Sequence, residues 1–233
     1  MNKVIYLDPG HGGRDPGAVN GTRLESHDNL RMAQAIRPHL QRQGFNVVMS
    51  RETDVFVELA ERTRQANRVN ADLFLSIHRN GFDDPSAHGT EVVVHTSPTA
   101  QEMVIAAEVL QQLIRVGIQR NRGIIRKNFH VLRESRMPSV MPELGFITNK
   151  RDNELFDFHL DAYAEAIAKS VCSFFDVDYI EPSQATQTQP ETLYRVQVGA
   201  FRIKENALKF LDAVRGMGLD AFIVEAITAK EED

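Results

Sequence analysis

The chain has 233 residues, of which 42% are hydrophobic and 25% are charged, and its formal net charge at pH 7 is −5. This composition is typical of a globular protein with one sizeable core and room for a small second unit. The negative charge offers no bulk attraction for nucleic acid, so we expect no partner of that class. The single cysteine, Cys172, excludes an internal disulfide framework and is expected to be a buried small hydrophobe.

The first residues, MNKVIYLDPGHGG, do not resemble a secretory signal peptide. Only a few apolar residues precede Asp8, whereas a signal peptide needs an apolar stretch of about 7–15 residues and a cleavage site with small residues. No stretch of the sequence approaches the ~20 apolar residues that span a membrane. We therefore expect synthesis in the cytoplasm without a signal peptide, and no insertion into a membrane.

Strands and helices alternate in the first 178 residues, as judged from apolar runs and from apolar residues at helical spacing. Pro38 lies inside the first expected helix and is expected to kink or shorten it. In chain order, the expected elements are a strand at Val4–Leu7, a helix at Asn29–Gln43 closed by Gly44, a strand at Asn46–Met49, a helix at Val57–Asn70, strands at Leu73–His78 and Glu91–His95, a helix at Thr99–Val116, a strand at Ser139–Leu144 and a helix at Asp161–Phe175.

This alternation predicts an α/β fold with a mostly parallel, twisted sheet that is flanked by helices on both faces. The strand Ser139–Leu144 contains Pro142. Because proline has no N–H to donate to a neighbouring strand, Pro142 argues against a central, fully paired position for this strand.

The last part of the chain differs in composition from the first. Residues 179–192 include PSQATQTQPE, which has no aliphatic residue larger than alanine and is typical of a flexible linker. Residues 193–233 then predict a small βαβ unit, with strands at 193–201 and 221–224 and a helix at Lys204–Arg215 between them. A unit of about 40 residues is too small to bury an adequate core alone, so a homodimer through this repeat is one expectation.

Three side chains with metal-binding groups fall at or near strand ends. His11 follows the first strand, Glu25 is expected in the loop ahead of the first helix, and His78 closes the strand Leu73–His78. Two imidazoles and one carboxylate suit zinc, which can then polarise a carbonyl and lower the pKa of a water molecule to about 7. A further carboxylate would have to carry protons, and Glu143 is the best candidate.

The spacing alone leaves this metal site open, because no HExxH helix fixes two ligands together. Each histidine can equally be an exposed or hydrogen-bonded polar residue. A phosphate-binding loop is less well supported, since GxGxxG and GxxxxGK[ST] are both absent. His27, two residues after Glu25, is expected to be a polar loop residue. His88, His95, His130 and His159 are expected to be structural or exposed, with His130 at most lining the site and not binding the metal.

Five separated segments resemble, in order, the motifs of zinc-dependent N-acetylmuramoyl-L-alanine amidases of the amidase-3 family. They are LDPGHGGRDPGA, LESHDNL, SRETD, LFLSIHRN and NFHVLRESRMPSVMPELGFITN, and the likeness runs from residue 3 to about 175. The resemblance implies that His11, Glu25 and His78 bind Zn²⁺ and that Glu143 is catalytic. It also implies hydrolysis of the amide bond between N-acetylmuramic acid and L-alanine in bacterial peptidoglycan.

Two segments are similar to one branch of that family. NFHVLRES, and LYRVQVGAF with the following residues, resemble the mother-cell-lysis amidases of sporulating bacteria, which carry C-terminal SPOR-type repeats. Phage endolysins share the catalytic family. The resemblance therefore implies a catalytic domain at 1–178 and a partial, cell-wall-binding SPOR-like repeat at 193–233. It also implies action on the cell wall after release by mother-cell lysis or by a phage holin.

Some positions depart from the family pattern. Arg79 stands where a small residue is commoner, and it is expected to contact substrate or to narrow the cleft. Asn80 is expected either to hold a loop or to contact substrate. Pro142 directly before Glu143 is unusual and leaves the placement of that carboxylate open. Two other functions remain open from the sequence: a non-catalytic peptidoglycan-binding module and an endopeptidase of the stem peptide.

Overall fold

The structure is a computed structural model that describes residues 3–181, 199–201 and 203–216. The chain divides into two compact units, residues 1–182 and 183–233. The sequence placed the linker from residue 179, but Tyr179 and Ile180 contact the first unit. The Tyr179 hydroxyl lies 3.1 Å from Nδ1 of His39, and the Ile180 N–H donates to Gln43 Oε1 at 2.7 Å. The first unit therefore extends beyond residue 178.

The first unit contains eight strands and six helices within the described residues. The strands are β1 (Val4–Pro9), β2 (Val19–Asn20), β3 (Arg23–Leu24), β4 (Asn46–Met49), β5 (Leu73–Asn80), β6 (Thr90–Val94), β7 (Asn121–Arg126) and β8 (Ser139–Phe146). The helices are α1 (Glu25–Arg42), α2 (Leu59–Arg68), α3 (Ala100–Val116), α4 (His130–Glu134), α5 (Lys150–Phe158) and α6 (Leu160–Phe174). All of the expected elements are present, whereas β2, β3, β7, α4 and α5 were not predicted.

Six of the strands form one sheet in the order β4-β1-β5-β8-β6-β7. Every neighbouring pair in it is parallel except β6 and β8, which are antiparallel. The predicted α/β fold with a mostly parallel sheet is therefore confirmed.

Helices cover both faces of the sheet, as the strand patterns predicted. Alternate residues of a strand point to opposite faces, so each strand supplies both cores. On one face, side chains such as Leu7 and Leu75 pack with residues of α1, α3 and α6. On the other face, Tyr6 stacks on Phe74 with ring centroids 5.3 Å apart, among residues of α2 and α4.

The expectation that Pro142 keeps its strand out of the centre is wrong. β8 lies between β5 and β6 and is buried along its whole length. Pro142 is the register partner of Val92 in β6, while Val140 and Glu143 on either side of it pair with β5. One proline removes only one N–H donor, and the neighbouring residues keep the strand paired on both sides.

The first helix differs from its prediction at both ends. It begins at Glu25, so Glu25 lies in the first turn of α1 and not in the preceding loop. Pro38 lies inside α1 and does not shorten it, because the helix continues to Arg42. Gly44 then adopts a φ of +83°, the left-handed conformation that commonly follows a helix C-terminus.

The second unit is described only in part. Its helix, α7 (Lys204–Gly216), matches the predicted helix at Lys204–Arg215. The rings of Phe201 and Phe210 lie 5.3 Å apart. The strands expected at 193–201 and 221–224 fall outside the described residues, except for 199–201. Among the helices that the structure describes, none is long and apolar enough to cross a membrane.

Candidate metal centre and active site

Three side chains from separate parts of the chain converge at one edge of the sheet. His11 follows β1, Glu25 opens α1, and His78 lies near the end of β5. Glu25 Oε1 lies 2.8 Å from His78 Nδ1, and Glu25 Oε2 lies 3.3 Å from His11 Nε2. One possible ligand atom from each residue lies within 4.8 Å of the other two. In the described part of the chain, this is the cluster that could hold a metal ion.

The two histidine rings need space that only glycine leaves. A Cβ atom on Gly10 would lie 2.2 Å from Cε1 and Nε2 of the His78 ring. A Cβ atom on Gly17 would lie 2.6 Å from both Glu25 Oε2 and His11 Cδ2. His11 itself has a φ of +60°, which is uncommon for a residue with a side chain and is often found at functional positions. The glycine-rich loop is thus shaped around the candidate ligand side chains.

Two buried arginines hold the loop after β1. Arg62 donates from Nη1 to the carbonyl oxygen of Pro9 at 2.9 Å and from Nη2 to that of His11 at 2.7 Å. Arg51 donates from Nη2 to the carbonyl oxygen of Gly10 at 2.9 Å. Buried carbonyl groups need hydrogen-bond donors, and the two arginines supply them here. The sequence motifs did not single out either arginine for this role.

The candidate ligand side chains are oriented by ionic hydrogen bonds. His11 Nδ1 lies 2.8 Å from Asp15 Oδ2, which leaves Nε2 of the ring facing Glu25. Burial would lower the pKa of His11, but its hydrogen bonds with Glu25 and Asp15 outweigh burial and raise it. For the carboxyl group of Glu25 the effect of burial is opposite and would raise the pKa. The hydrogen bonds of Glu25 with His11 and His78 outweigh it and hold that pKa far below the usual range. Glu25 is therefore ionised, as a metal ligand must be.

Glu143 lies beside this cluster, in register with His78 across β5 and β8. It is buried, and its Oε2 atom has no hydrogen-bond partner. Burial raises the pKa of Glu143 well above its usual value, and the negative charges of Glu25 and Glu91 add to that effect. Without a nearby cation, the surroundings of this carboxyl group therefore favour its protonated form.

These residues fit a zinc ion. Nitrogen and oxygen ligands at about 2.0–2.2 Å from a tetrahedral zinc lie about 3.3 Å from one another, which falls among the separations found here. The His–Glu–His donor set leaves a fourth position free. A cation there would also offset the negative charge that surrounds the unpartnered Oε2 atom of Glu143.

A cleft of about 550 Å³ opens over the cluster. His11, Glu25, His78 and Glu143 all line it. Exposed apolar side chains line it where α2 and α4 begin, among them Leu59 and Phe129, with exposed fractions of 56% and 41%. The cleft is therefore large enough for a substrate of several sugar or amino-acid residues to reach the candidate centre.

The two expected substrate contacts have different surroundings. The Arg79 side chain is fully buried, donates from Nη1 to Asp28 at 2.7 Å and lies over the Phe156 ring. Arg79 is nevertheless among the residues that line the cleft, so its expected contact with substrate stays a prediction. Asn80 is the last residue of β5 and lines the cleft, and its Nδ2 donates to Glu91 Oε1 at 3.0 Å.

The remaining histidines lie apart from the three candidate ligands. His27, which is close to Glu25 in sequence, is more than half exposed and lies 3.3 Å from Asp54. It belongs to α1 and not to a loop. His130 lines the cleft, and its Nε2 atom is buried without a hydrogen-bond partner.

Comparison with known proteins assigns the family. Residues 5–174 match the Amidase_3 profile, described as N-acetylmuramoyl-L-alanine amidase. The chain belongs to this amidase family. A second match, to the SPOR domain, covers residues 165–231 of the amidase and overlaps the last helix of the first unit.

Named relatives agree with this family. The amidase is 32% identical over 223 residues to a sporulation-specific N-acetylmuramoyl-L-alanine amidase of Bacillus subtilis (strain 168), and the match covers 94% of this chain and 84% of the relative. It is 35% identical over 227 residues to the N-acetylmuramoyl-L-alanine amidase CwlM of Bacillus licheniformis, with the same coverage of both chains.

A solved structure supports the fold. The crystal structure of an N-acetylmuramoyl-L-alanine amidase from Clostridium difficile 630 superposes with a TM-score of 0.72 at 34% identity. That match covers 75% of this amidase and 97% of the solved chain. The catalytic fold of the family is therefore contained in the first unit.

Proposed function

We propose that this amidase uses zinc to hydrolyse the bond between N-acetylmuramic acid and L-alanine in peptidoglycan, with His11, Glu25 and His78 as metal ligands and Glu143 as the proton carrier. Its family membership makes the chain an N-acetylmuramoyl-L-alanine amidase. The observation that carries the proposed roles is the unpartnered carboxyl oxygen of Glu143 in the same cleft as the three candidate ligands.

Each side chain has a distinct part in this proposal. Zinc, when bound, polarises the scissile carbonyl and lowers the pKa of a water molecule to about 7. Glu143, deprotonated beside that cation, accepts a proton from the attacking water through its free oxygen. It then returns the proton to the nitrogen of L-alanine as the amide bond breaks. Asp15 fixes the ring of His11, so that Nε2 faces the metal position.

The second unit is proposed to bind the cell wall. The SPOR match supports recognition of peptidoglycan by the C-terminal part of the chain. The start of the cell-wall-binding repeat at residue 193 and a homodimer through that repeat remain predictions, whereas the first unit extends past the expected limit of residue 178. Sedimentation analysis of the whole chain tests the dimer, since a monomer at micromolar concentration would exclude it. Release by mother-cell lysis or by a phage holin is likewise a prediction about when the enzyme meets its substrate.

Digestion of purified peptidoglycan tests the reaction. The chain is treated with a chelator, and zinc is then restored to half of the sample. We expect free peptides that begin with L-alanine, lost on chelation and recovered with zinc, when the products are analysed by mass spectrometry. New amino termini inside the stem peptide would identify an endopeptidase instead. Pelleting with peptidoglycan without release of any product, with zinc bound, would identify a binding module.

A further inference from the structure

An irregular residue pair lies between β6 and β7, beside Glu91, which pairs in register with Glu143 and accepts a hydrogen bond from Asn80 of the cleft. Thr90 pairs with Asn121, but the next residue, Glu91, pairs with Gly123. Arg122 is therefore an extra residue in β7, and Gly123 beside it has a φ of +85°. Such a bulge redirects a side chain, and bulges are frequent beside active sites. Here the bulge places Arg122 toward the face of the sheet that carries Glu143.

The Arg122 side chain is held in place from one side only. Its Nε donates to Glu91 Oε2 at 2.6 Å, and its guanidinium lies 4.9 Å from the centre of the Phe146 ring. The other oxygen of Glu91 accepts from Asn80. In the part of the chain that the structure describes, no hydrogen-bond partner occupies the two terminal nitrogens of Arg122, and the side chain is 32% exposed. A guanidinium that is fixed in place and has two unpaired terminal NH₂ groups is suited to bind a carboxylate.

The position of Arg122 relative to the scissile bond follows from strand register. Glu91 is the direct partner of Glu143, and Glu143 is the partner of His78. Neighbouring strands are about 4.8 Å apart, so a guanidinium bound to Glu91 lies roughly 5–10 Å from Glu143. It lies on the side away from His78. Arg120, exposed just before β7, adds positive charge at the same end of the strand.

We propose that Arg122 binds the first free carboxylate of the stem peptide, on the residue that follows L-alanine. This inference rests on the proposed amidase function. In peptidoglycan the second residue is D-glutamate linked through its γ-carboxyl, which leaves its α-carboxyl free or amidated. Two extended residues span up to about 7 Å, which falls within the roughly 5–10 Å between Glu143 and the Arg122 guanidinium. Arg122 therefore selects the substrate with an ionised α-carboxylate over its amidated form.

The experiment compares two peptidoglycan substrates that differ only in this group, one with D-isoglutamate and one with D-isoglutamine at the second position. We expect the wild-type chain to hydrolyse the free acid with a kcat/KM about tenfold higher, because a hydrogen bond to a charged group is lost with the amide. In Arg122→Gln this preference should fall to about one, and Arg122→Lys should keep part of it.

The ratio of the kcat/KM values for the two substrates separates recognition of the carboxylate from indirect effects on catalysis. Arg122 also contacts Glu91, which faces Glu143, so Arg122→Gln can slow both substrates together; only a changed ratio supports the inference. Arg126→Gln, at the opposite end of β7 and also exposed, is the matched control and should leave both rates unchanged. An unchanged ratio in Arg122→Gln, or no preference in the wild-type chain, overturns the inference while the amidase function stands. Failure to hydrolyse either substrate overturns the proposed function itself.

Discussion

Glu143 is the direct register partner of His78 in the parallel pair formed by β8 and β5. Paired residues project to the same face of a sheet, so the backbone ladder sets the distance between the proposed proton carrier and a proposed metal ligand. His11 and Glu25 come from a loop and a helix that pack against this pair. The proposed site is therefore built on two central strands of the sheet.

Glu143→Gln separates proton transfer from metal binding. We expect this variant to keep the wild-type zinc content and to lose about 10²–10⁴-fold in hydrolysis, because the side chain keeps its size but can no longer carry the proton. Atomic emission and release of soluble peptides measure the two properties. Glu134→Gln, a partly exposed position on α4, is the control. Wild-type hydrolysis by Glu143→Gln would mean that another group moves the protons.

Asp15→Asn tests the orientation of His11. Asp15 accepts from His11 at 2.8 Å, and loss of such a partner of a metal-binding histidine costs about 10–100-fold in metal affinity. Competition with a zinc-binding dye measures this affinity directly. Asp83→Asn, at an exposed loop position, should leave it unchanged. Equal zinc affinities in the two variants would argue against His11 as a ligand.

Gly10→Ala tests the space around His78. Because the added Cβ atom would lie 2.2 Å from the His78 ring, the ring must move away from Glu25. We expect zinc binding and hydrolysis to fall together. Gly21→Ala adds the same atom in open space and should leave zinc binding intact, although the φ of +62° at Gly21, which Gly10 does not share, costs this control some stability. The hypothesis fails if Gly10→Ala binds zinc as tightly as Gly21→Ala.

Arg79→Ala distinguishes a structural role from contact with substrate. The variant leaves a cavity and removes a buried ion pair with Asp28, which normally costs about 3–5 kcal/mol. Asp28 keeps a second ion pair with Arg23, so we expect a loss near the lower end of that range. Urea unfolding measures it. The KM of the remaining folded enzyme should be close to that of the wild-type chain. A large rise in KM with full stability would instead indicate that Arg79 contacts the substrate.

Cys172 should be unreactive in the folded protein. The residue is 1% exposed, and burial raises the pKa of its thiol to about 11. At pH 8 the folded chain therefore holds even less of the reactive thiolate than the unfolded chain does. We expect a thiol reagent to label the protein only after denaturant is added. Since the chain contains one cysteine, rapid labelling of the native protein would directly contradict this burial.

The sequence by itself determined most of the strands and helices and the class of enzyme. Apolar spacing predicted β1, β4 and β5 and the helices α1, α2, α3 and α6, because burial of one face leaves a period in the sequence. The separated motifs indicated the amidase family and named four side chains that the structure brings into one cleft. These features are carried by short segments and can be seen without knowing which segments are neighbours.

Only the tertiary structure decided which strands and side chains lie next to one another. Pro142 argued for a strand away from the centre, yet β8 is central because its other residues pair on both sides. Arg51 and Arg62 hold the loop around His11 through hydrogen bonds to residues more than 40 positions away. The bulge at Arg122 exists only where β6 and β7 pair. Periodicity tells which side of a strand is buried, but the order and register of the strands decide which side chains meet.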